Sequence, residues 1–524
     1  MLMDYMQIGK TLSVSYFDKS GKTQVKNIPL NDDQMFNWEY CKPHNMAKAD
    51  KKYKSWDGKA VLRKPATKLS GFRMAEILDD LPKDMYDEIF EYALPQTYFV
   101  DIETKIDPTL TVKESAEEAR MPITLIGVAT PNRGVIVLSS EKDLTPHERQ
   151  QIQIDITNHT KPFGVNFKFQ FRCFPDETSM LKHFLYNMVR KFPVMSGWNF
   201  VEFDWKYISN RCKRLNIPME NASPIKKLIG KDKNMPAHVC ILDYMECYSK
   251  WDTSVSQKEN LKLDQAGEDV LGVKKVHYDG TLDDLYERSF KDYVYYNAID
   301  CALVEMLHEK LGVSSIGNTL TYIAKCPTPR MFSPVTLTES ILARNYYKRD
   351  RVLPVVNKDN KQEGYEGAYV KQPIVGYHRF CICNDFASLY PNIIRELNLS
   401  PETFLMKLDE EDIEGKRQKL AEGYIVSESG CVFLKDAGVF STLVGEVYNQ
   451  RKAYKKTAVN AAIKSRLLED LLKRTNLSDE EALVCFFIAF LLNVQDFNRH
   501  KERRQKSSET VLRNARNDGE RHGI

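Results

Sequence analysis

The run Thr97 to Ile102 (TYFVDI) constrains the fold of this chain more than any other stretch. It follows Pro95 and is rich in aromatic and β-branched residues, which predicts a β-strand. Asp101 and Glu103 stand two apart in FVDIET. In a strand, residues i and i+2 face the same side. Two carboxylates on one face repel each other unless a cation lies between them, and an oxygen-rich donor set of that kind suits Mg²⁺ or Mn²⁺. An isolated Asp-x-Glu also fits a solvated strand edge, but the apolar lead-in argues for a half-buried strand.

Two more strand-like runs follow, Ile123 to Ala129 (ITLIGVA) and Gly134 to Leu138 (GVIVL), separated by the turn residues Pro131, Asn132 and Arg133. A helical pattern runs from Met180 to Lys191. This order predicts an α/β domain that begins with antiparallel strands. A second strand-rich region is expected from Gly364 to Asp385. From Ser441 onward Leu443, Val447, Tyr454, Ala458, Ala462 and Leu467 recur at helical spacing,. The first ~95 residues are polar and Lys-rich with few strong periodic runs.

Two further acidic positions stand out. In GWNFVEFD, Gly197 and the aromatic residues support a tight packed segment with Asp204 at its end. Asp204 could equally cap the helix that follows. In YNAID, Tyr296 and Asp300 are four apart and share a helix face, which a plain surface pair would also do.

Length, composition and charge narrow the class. At about 150 residues per domain, 524 residues suggest three or four domains,. With 42% hydrophobic and 28% charged residues, a collagen-like or coiled-coil rod and wholesale disorder are excluded,. The net charge of +3 is unevenly spread. Residues 451–524 hold 16 Lys/Arg against 10 Asp/Glu, while the first 450 hold 59 against 62, so the positive excess sits in the tail and favours a polyanionic partner,. The 11 cysteines form no Cys-x-x-Cys knots, which supports neither a zinc finger nor a disulfide framework and reads as a reducing cytoplasm,. Met1 to Lys10 has no apolar signal core. The longest strongly apolar run, Leu483 to Leu492, is too short for a membrane span, which takes about 20 residues,.

Asp101, Glu103, Asp204 and Asp300, with Asn199 and Tyr296 alongside, resemble in order and spacing the three exonuclease motifs of DnaQ-like proofreading nucleases, in the version found inside family B DNA polymerases. The resemblance implies two-metal phosphodiester hydrolysis, with the four carboxylates as ligands of Mg²⁺ or Mn²⁺. It also implies that Tyr296 orients the attacking water and that Asn199 contacts DNA. Further on, NDFASLYPNII (Asn384 to Ile394) is similar to family B motif A, with Asn392 where Ser is common. This implies that Asp385 binds both polymerase metals, that backbone groups of Phe386, Ser388 and Leu389 cradle the triphosphate, and that Tyr390 packs under the sugar. Tyr365 and Gly367 in YEGAYV resemble a template-touching segment, weakened by Ala368 in place of Gly. Arg451 and Lys455, at i and i+4, match the fingers helix that grips the dNTP.

The overall likeness is to T-even-like bacteriophage family B polymerases, close from about Phe99 to Lys456. It extends to LDYMECY (Leu242 to Tyr248), YDG (Tyr278 to Gly280) and NLSPET (Asn398 to Thr403). It implies a multidomain α/β and α+β chain. Residues 1–95 and 313–356 would form an N-terminal domain, 96–312 an RNase H-like exonuclease domain, 357–437 the first part of the palm and 438–475 the start of the fingers. A divergent tail, 476–524, would dock a partner or be partly disordered. After about Arg474 no KxxxNSxYG or DTDS-like segment, thumb or clamp-binding peptide is found. The chain is therefore expected not to synthesise DNA alone. It would be the N-terminal subunit of a split polymerase completed by a C-terminal polypeptide, with a sliding clamp engaged through the missing half. An interrupted gene leaving a stand-alone exonuclease, and a nucleic-acid-binding regulator, are the rival readings. Primer–template, single-stranded DNA and dNTP are the expected ligands, no membrane is involved, and the expected location is the cytoplasm of an infected bacterium.

Overall fold

The computed structural model describes residues 1–140, 144–159, 167–252, 261–355, 369–408, 413–420 and 422–475. The chain divides into two compact units, Met1–Arg379 and Phe380–Ile524.

The first unit opens with an antiparallel meander of Leu2–Ile8, Thr11–Phe17 and Thr23–Pro29. Leu12, Val14 and Tyr16 alternate along its central strand and bury against Ile77, Leu78, Ile89 and Phe90 of the helices Gly71–Asp79 and Lys83–Phe90. The alternation of Leu12, Val14 and Tyr16 with Ser13 and Ser15 is a strand pattern, within a stretch that as a whole reads as polar and Lys-rich,. A hairpin of Phe36–Tyr40 and Val61–Pro65 follows. Much later residues return here. Arg351–Val352 pairs in parallel with Lys54–Ser55, and the helix Pro334–Tyr347 is tied to Gly71–Asp79 by an Arg344–Asp79 ion pair. Tyr347 adds a 2.6 Å hydrogen bond to Asp80.

Between these segments lies a six-stranded mixed sheet. Thr97–Thr104 is an inner strand. On one side it pairs antiparallel with Ile123–Thr130, which pairs antiparallel with Gly134–Ser139, which pairs in parallel with Lys168–Cys173. On the other side Val194–Ser196 and then Cys240–Ile241 run parallel to it. The two-residue period sorts the inner strand between two cores. Val100 and Ile102 pack with Trp205, Tyr207 and Ile208 of the helix Asp204–Arg214. Phe99 packs on the opposite face with Val294, Ala298 and Cys301 of the long helix Phe290–Leu311. Asp101 and Glu103 share that second face, so the strand points both carboxylates at the long helix.

In the second unit Phe404–Lys407, Cys431–Leu434 and Tyr424–Val426 form a small antiparallel sheet with Cys431–Leu434 central. The helix Leu389–Glu396 packs on the 37-residue helix Val439–Thr475 through an Arg395–Tyr448 cation–π contact. NLSPET builds the entry to that long helix. Asn398 donates to the main-chain oxygens of Leu434 and Asp436, both at 2.7 Å, and its Oδ1 accepts from Gly438 N at 3.0 Å. Glu402 accepts from Val439 N at 2.6 Å, a carboxylate at the positive end of the helix dipole,.

The strand-rich region expected at Gly364 to Asp385 is not found where it is described. Residues 369–385 form no strand, and Phe380 and Ile382 are 97% and 86% exposed. A strand needs a neighbour to accept its ladder hydrogen bonds, and no described strand pairs with this segment. Residues 356–368 and the tail, including the apolar segment Asp479 to Val494, lie outside the described residues. Among the described residues no helix is long and apolar enough to cross a membrane.

Candidate active site

Three elements deliver four carboxylates to one place. Asp101 and Glu103 come from the inner strand and Asp300 from the helix Phe290–Leu311, and one ligand oxygen of each lies within 4.8 Å of the others. Asp204 is the first residue of its helix, and its Oδ1 accepts a 3.0 Å hydrogen bond from Ile102 N, between the two strand acids. The alternative in which Asp204 caps its own helix is therefore corrected. The N-cap is Phe203, and the Asp204 side chain is spent on the strand.

Local sequence explains the convergence. Gly197 passes so close to the strand that a Cβ there would sit 2.4 Å from the Val100 carbonyl oxygen, so only glycine admits the crossing,. Asp243, at the N-cap of the helix Tyr244–Trp251, accepts from the main-chain N–H of Asn199 and Val201, each at 3.2 Å, and holds the loop that leads into Asp204. Asn199 sits exposed in that loop with a left-handed backbone (φ 59°). Thr124 donates to the Glu103 carbonyl at 3.0 Å and shares a 2.7 Å hydrogen bond with Tyr293, pinning the long helix to the sheet.

Like charges in a dry site raise one another. Burial, then Asp300, pushes the Asp101 carboxyl up to about 7. Burial, then Asp101 and Asp300, holds Glu103 well above the usual carboxylate range, and burial with Asp101 does the same to Asp204. Lys275 is the counter-charge. Its Nζ lies 2.5 Å from Asp300 Oδ2 and 3.0 Å from the Tyr296 hydroxyl. Burial works against the ammonium, but Asp300, Tyr296 and Asp101 outweigh it and hold its pKa above the ordinary lysine value. One lysine does not neutralise four carboxylates, and Asp300 Oδ1 is buried with no hydrogen-bond partner. A set of oxygen donors with surplus negative charge and an orphaned buried oxygen fits a hard divalent cation.

This charge pattern sets a pH dependence. The raised carboxyls bind protons in the fold that the unfolded chain has already released, so stability falls as pH rises from about 4 toward 7. A cation that binds the ionised set reverses that loss. In chelator the melting temperature is expected to fall between pH 6 and pH 8, and Mg²⁺ is expected to raise it more at pH 8 than at pH 6. Scanning calorimetry at the two pH values checks both signs.

Three residues in and around the site carried no role in the sequence reading. Lys275 lies just ahead of YDG, in a stretch without regular structure, and is placed by Asp264, which accepts from its main-chain N at 2.7 Å. Asn297 is the neighbour of Tyr296 and donates to Asp101 at 2.9 Å. Asp243 sits in LDYMECY. Adjacency to recognised motifs was the only signal for each.

The polymerase-type residues are differently placed. Asp385 is exposed and belongs to no described cluster of three or more possible metal ligands. Phe386, Leu389 and Tyr390 are 77%, 43% and 69% exposed. Ser388 precedes the helix Leu389–Glu396 in a left-handed conformation, its side chain makes no capping bond, and the helix itself contains Pro391. Arg451 and Lys455 are exposed on the 37-residue helix. Tyr365 and Gly367 lie outside the described residues.

Two family models match the chain. The exonuclease domain of DNA polymerase family B matches residues 82–251, and the DNA polymerase family B model matches residues 334–472. Together these segments make up more than half of the sequence. The chain belongs to DNA polymerase family B. It carries that family's exonuclease domain and part of its polymerase domain. The DNA-directed DNA polymerase of Escherichia phage RB69 is 30% identical over 339 residues, 62% of this chain and 37% of that protein. The enzyme of the same description from Enterobacteria phage T4 is 30% identical over 300 residues, 54% and 33%. DNA polymerase 1 of Sulfolobus acidocaldarius is 26% identical over 429 residues, 76% and 45%. The chain thus spans between a third and a half of the length of these family B relatives. Tyr296 and Asp300 lie outside both matched segments, and the fold itself brings them to Asp101 and Glu103.

Proposed function

We propose that this chain is the N-terminal part of a phage replicative DNA polymerase, and that its exonuclease domain degrades DNA from the 3′ end at Asp101, Glu103, Asp204 and Asp300. The observation that carries the reading is the convergence of Asp101, Glu103 and Asp300 within 4.8 Å beside the tethered Asp204. Two divalent ions, when bound, would activate water and stabilise the leaving 3′-oxygen. The four carboxylates would hold them. Lys275 donates to the Tyr296 oxygen, so Tyr296 acts as a donor toward the Asp300 side of the site, where it would orient the attacking water,. Burial raises the Asp300 carboxyl, and the same ammonium works against that rise by proximity,. Asn199, exposed at the rim, supports a contact to the DNA strand.

Lys275→Ala is expected to slow single-strand degradation about 10- to 100-fold, the usual effect of losing a group that orients metal ligands. Single-turnover rates at saturating DNA check it. The reading as a whole is tested by product identity: with Mg²⁺ the chain should release nucleoside monophosphates from the 3′ terminus, faster from single strands and mismatched ends than from matched duplex. Oligonucleotide products or release from the 5′ end would contradict it.

The polymerase half is the further part of the proposal. Asp385 would bind the polymerase metals, with Phe386, Ser388, Leu389, Tyr390, Arg451 and Lys455 around a dNTP, once residues 380–385 gain strand partners from further polypeptide. The exposure of Phe380 and Ile382, outside any described strand, supports that reading. We infer a complementing C-terminal polypeptide, a clamp engaged through it, and the cytoplasm of an infected bacterium as the place of work. Primer extension by this chain is expected to be undetectable alone and to appear when such a polypeptide is added. Extension by the chain alone would overturn the complementation reading and leave the exonuclease reading standing.

A further inference from the structure

We propose that Asn297 is the positioning residue that presents the Asp101 carboxylate to metal, and that Gly127 is glycine in order to admit it. The inference rests on the exonuclease reading above. Asn297 is fully buried on the helix Phe290–Leu311, one residue past Tyr296. Its Nδ2 donates to Asp101 Oδ2 at 2.9 Å and reaches the Asp101 main-chain oxygen at 3.3 Å. One amide thus grips both the side chain and the backbone of the same residue and fixes the carboxylate plane. Among the described residues no hydrogen bond is made to the other Asp101 oxygen, which stays available to a cation.

The opposite strand makes room for this grip. Gly127 is paired directly with Asp101 across the sheet. A Cβ on Gly127 would lie 2.3 Å from Asn297 Oδ1 and 2.6 Å from Cys301 Sγ. Neither neighbour is a flexible end, since both are buried in the helix-to-sheet contact.

The residue type argues for positioning rather than packing. Asn297 Oδ1 is buried with no hydrogen-bond partner, a cost that an apolar side chain of similar size would avoid,. The amide is therefore present for what its Nδ2 does. An NH₂ group only donates, so it holds a carboxylate oxygen without adding charge to an already acidic set. Aspartate at 297 would supply no donor and a fifth negative charge.

The test is Mn²⁺ binding to the full chain without DNA, followed by the signal of free Mn²⁺ in electron paramagnetic resonance. Asn297→Ala is expected to weaken Mn²⁺ affinity about 10- to 100-fold, to shift the Mg²⁺ dependence of single-strand degradation to higher concentration, and to recover much of the rate at saturating metal. Unchanged Mn²⁺ affinity, with a loss of rate that excess metal does not restore, would overturn it as a structural effect. Where Asn297→Ala loses cooperative unfolding, Asn297→Ser takes its place, being polar but too short to reach Asp101. A wild-type chain that binds Mn²⁺ without degrading DNA contradicts the exonuclease reading while the affinity comparison still decides Asn297. A wild-type chain that binds no Mn²⁺ overturns both.

Discussion

Asp101→Ala combined with Glu103→Ala is expected to reduce degradation of single-stranded DNA by at least about 10³-fold while the chain still unfolds cooperatively. Both side chains sit on the sheet face toward the long helix but contribute nothing to the apolar contacts of either core. Beyond the Asn297 bond to Asp101, what they add to the metal-free fold is repulsion: burial and Asp300 raise Asp101, and burial with Asp101 and Asp300 raises Glu103. Their removal should therefore leave the melting temperature in chelator unchanged or higher. It should also abolish the extra stability that Mg²⁺ gives at pH 8. Rates fall steeply because residues that share a metal act as a unit. A variant that melts far below the wild type in chelator would show the two acids to be structural.

Gly127→Ala is expected to lose about 10²-fold in rate and several degrees of melting temperature, from a change of one methyl group. The new Cβ would meet Asn297 Oδ1 at 2.3 Å and Cys301 Sγ at 2.6 Å, well inside contact distance. Overpacking of a buried contact usually costs about 1–3 kcal/mol. Here the neighbours that must give way lie on the helix that also carries Tyr296 and Asp300. Relief of the clash moves the Tyr296 and Asp300 side chains off their positions, and in the proposed site small misplacements are expensive. Gly197→Ala provides the comparison, because its clash is with the Val100 carbonyl and moves the loop ahead of Asp204 instead. Single-turnover rates and thermal melts of the two variants separate the two effects.

What was legible in the sequence follows from how local each signal was. Asp101 and Glu103 could be placed on one face because a strand has a two-residue period and an apolar lead-in marked the strand. Tyr296 and Asp300 could be placed together because helical spacing does the same at four residues. The role of Asp204 could not be separated from capping, because the hydrogen bond that decides it comes from Ile102, about a hundred residues earlier in the chain. Lys275 was silent because nothing periodic surrounds it, and its position is set by Asp264 and Asp300. Asn297 reads as an ordinary polar residue until Gly127 is seen opposite it.

Cys381 to Asp385 shows the reverse case. The strand-type residues Ile382, within it, and Phe380, beside it, are exposed and belong to no described strand. β-propensity measures fit to a paired, half-buried surface, so a segment without its neighbours does not realise it. The same contrast separates the two chemical centres. The carboxylates Asp101, Glu103, Asp204 and Asp300 come from one sheet and the helices on its two faces, all within the first unit. Asp385 has no such company among the described residues.

The most direct measurement is a time course of a 5′-labelled single strand incubated with the purified full chain and Mg²⁺. The structure predicts a ladder that shortens one nucleotide at a time from the 3′ end, vanishes in chelator and returns with Mn²⁺. An undegraded strand in the presence of folded chain and saturating metal would contradict the claim that Asp101, Glu103, Asp204 and Asp300 form an exonuclease site.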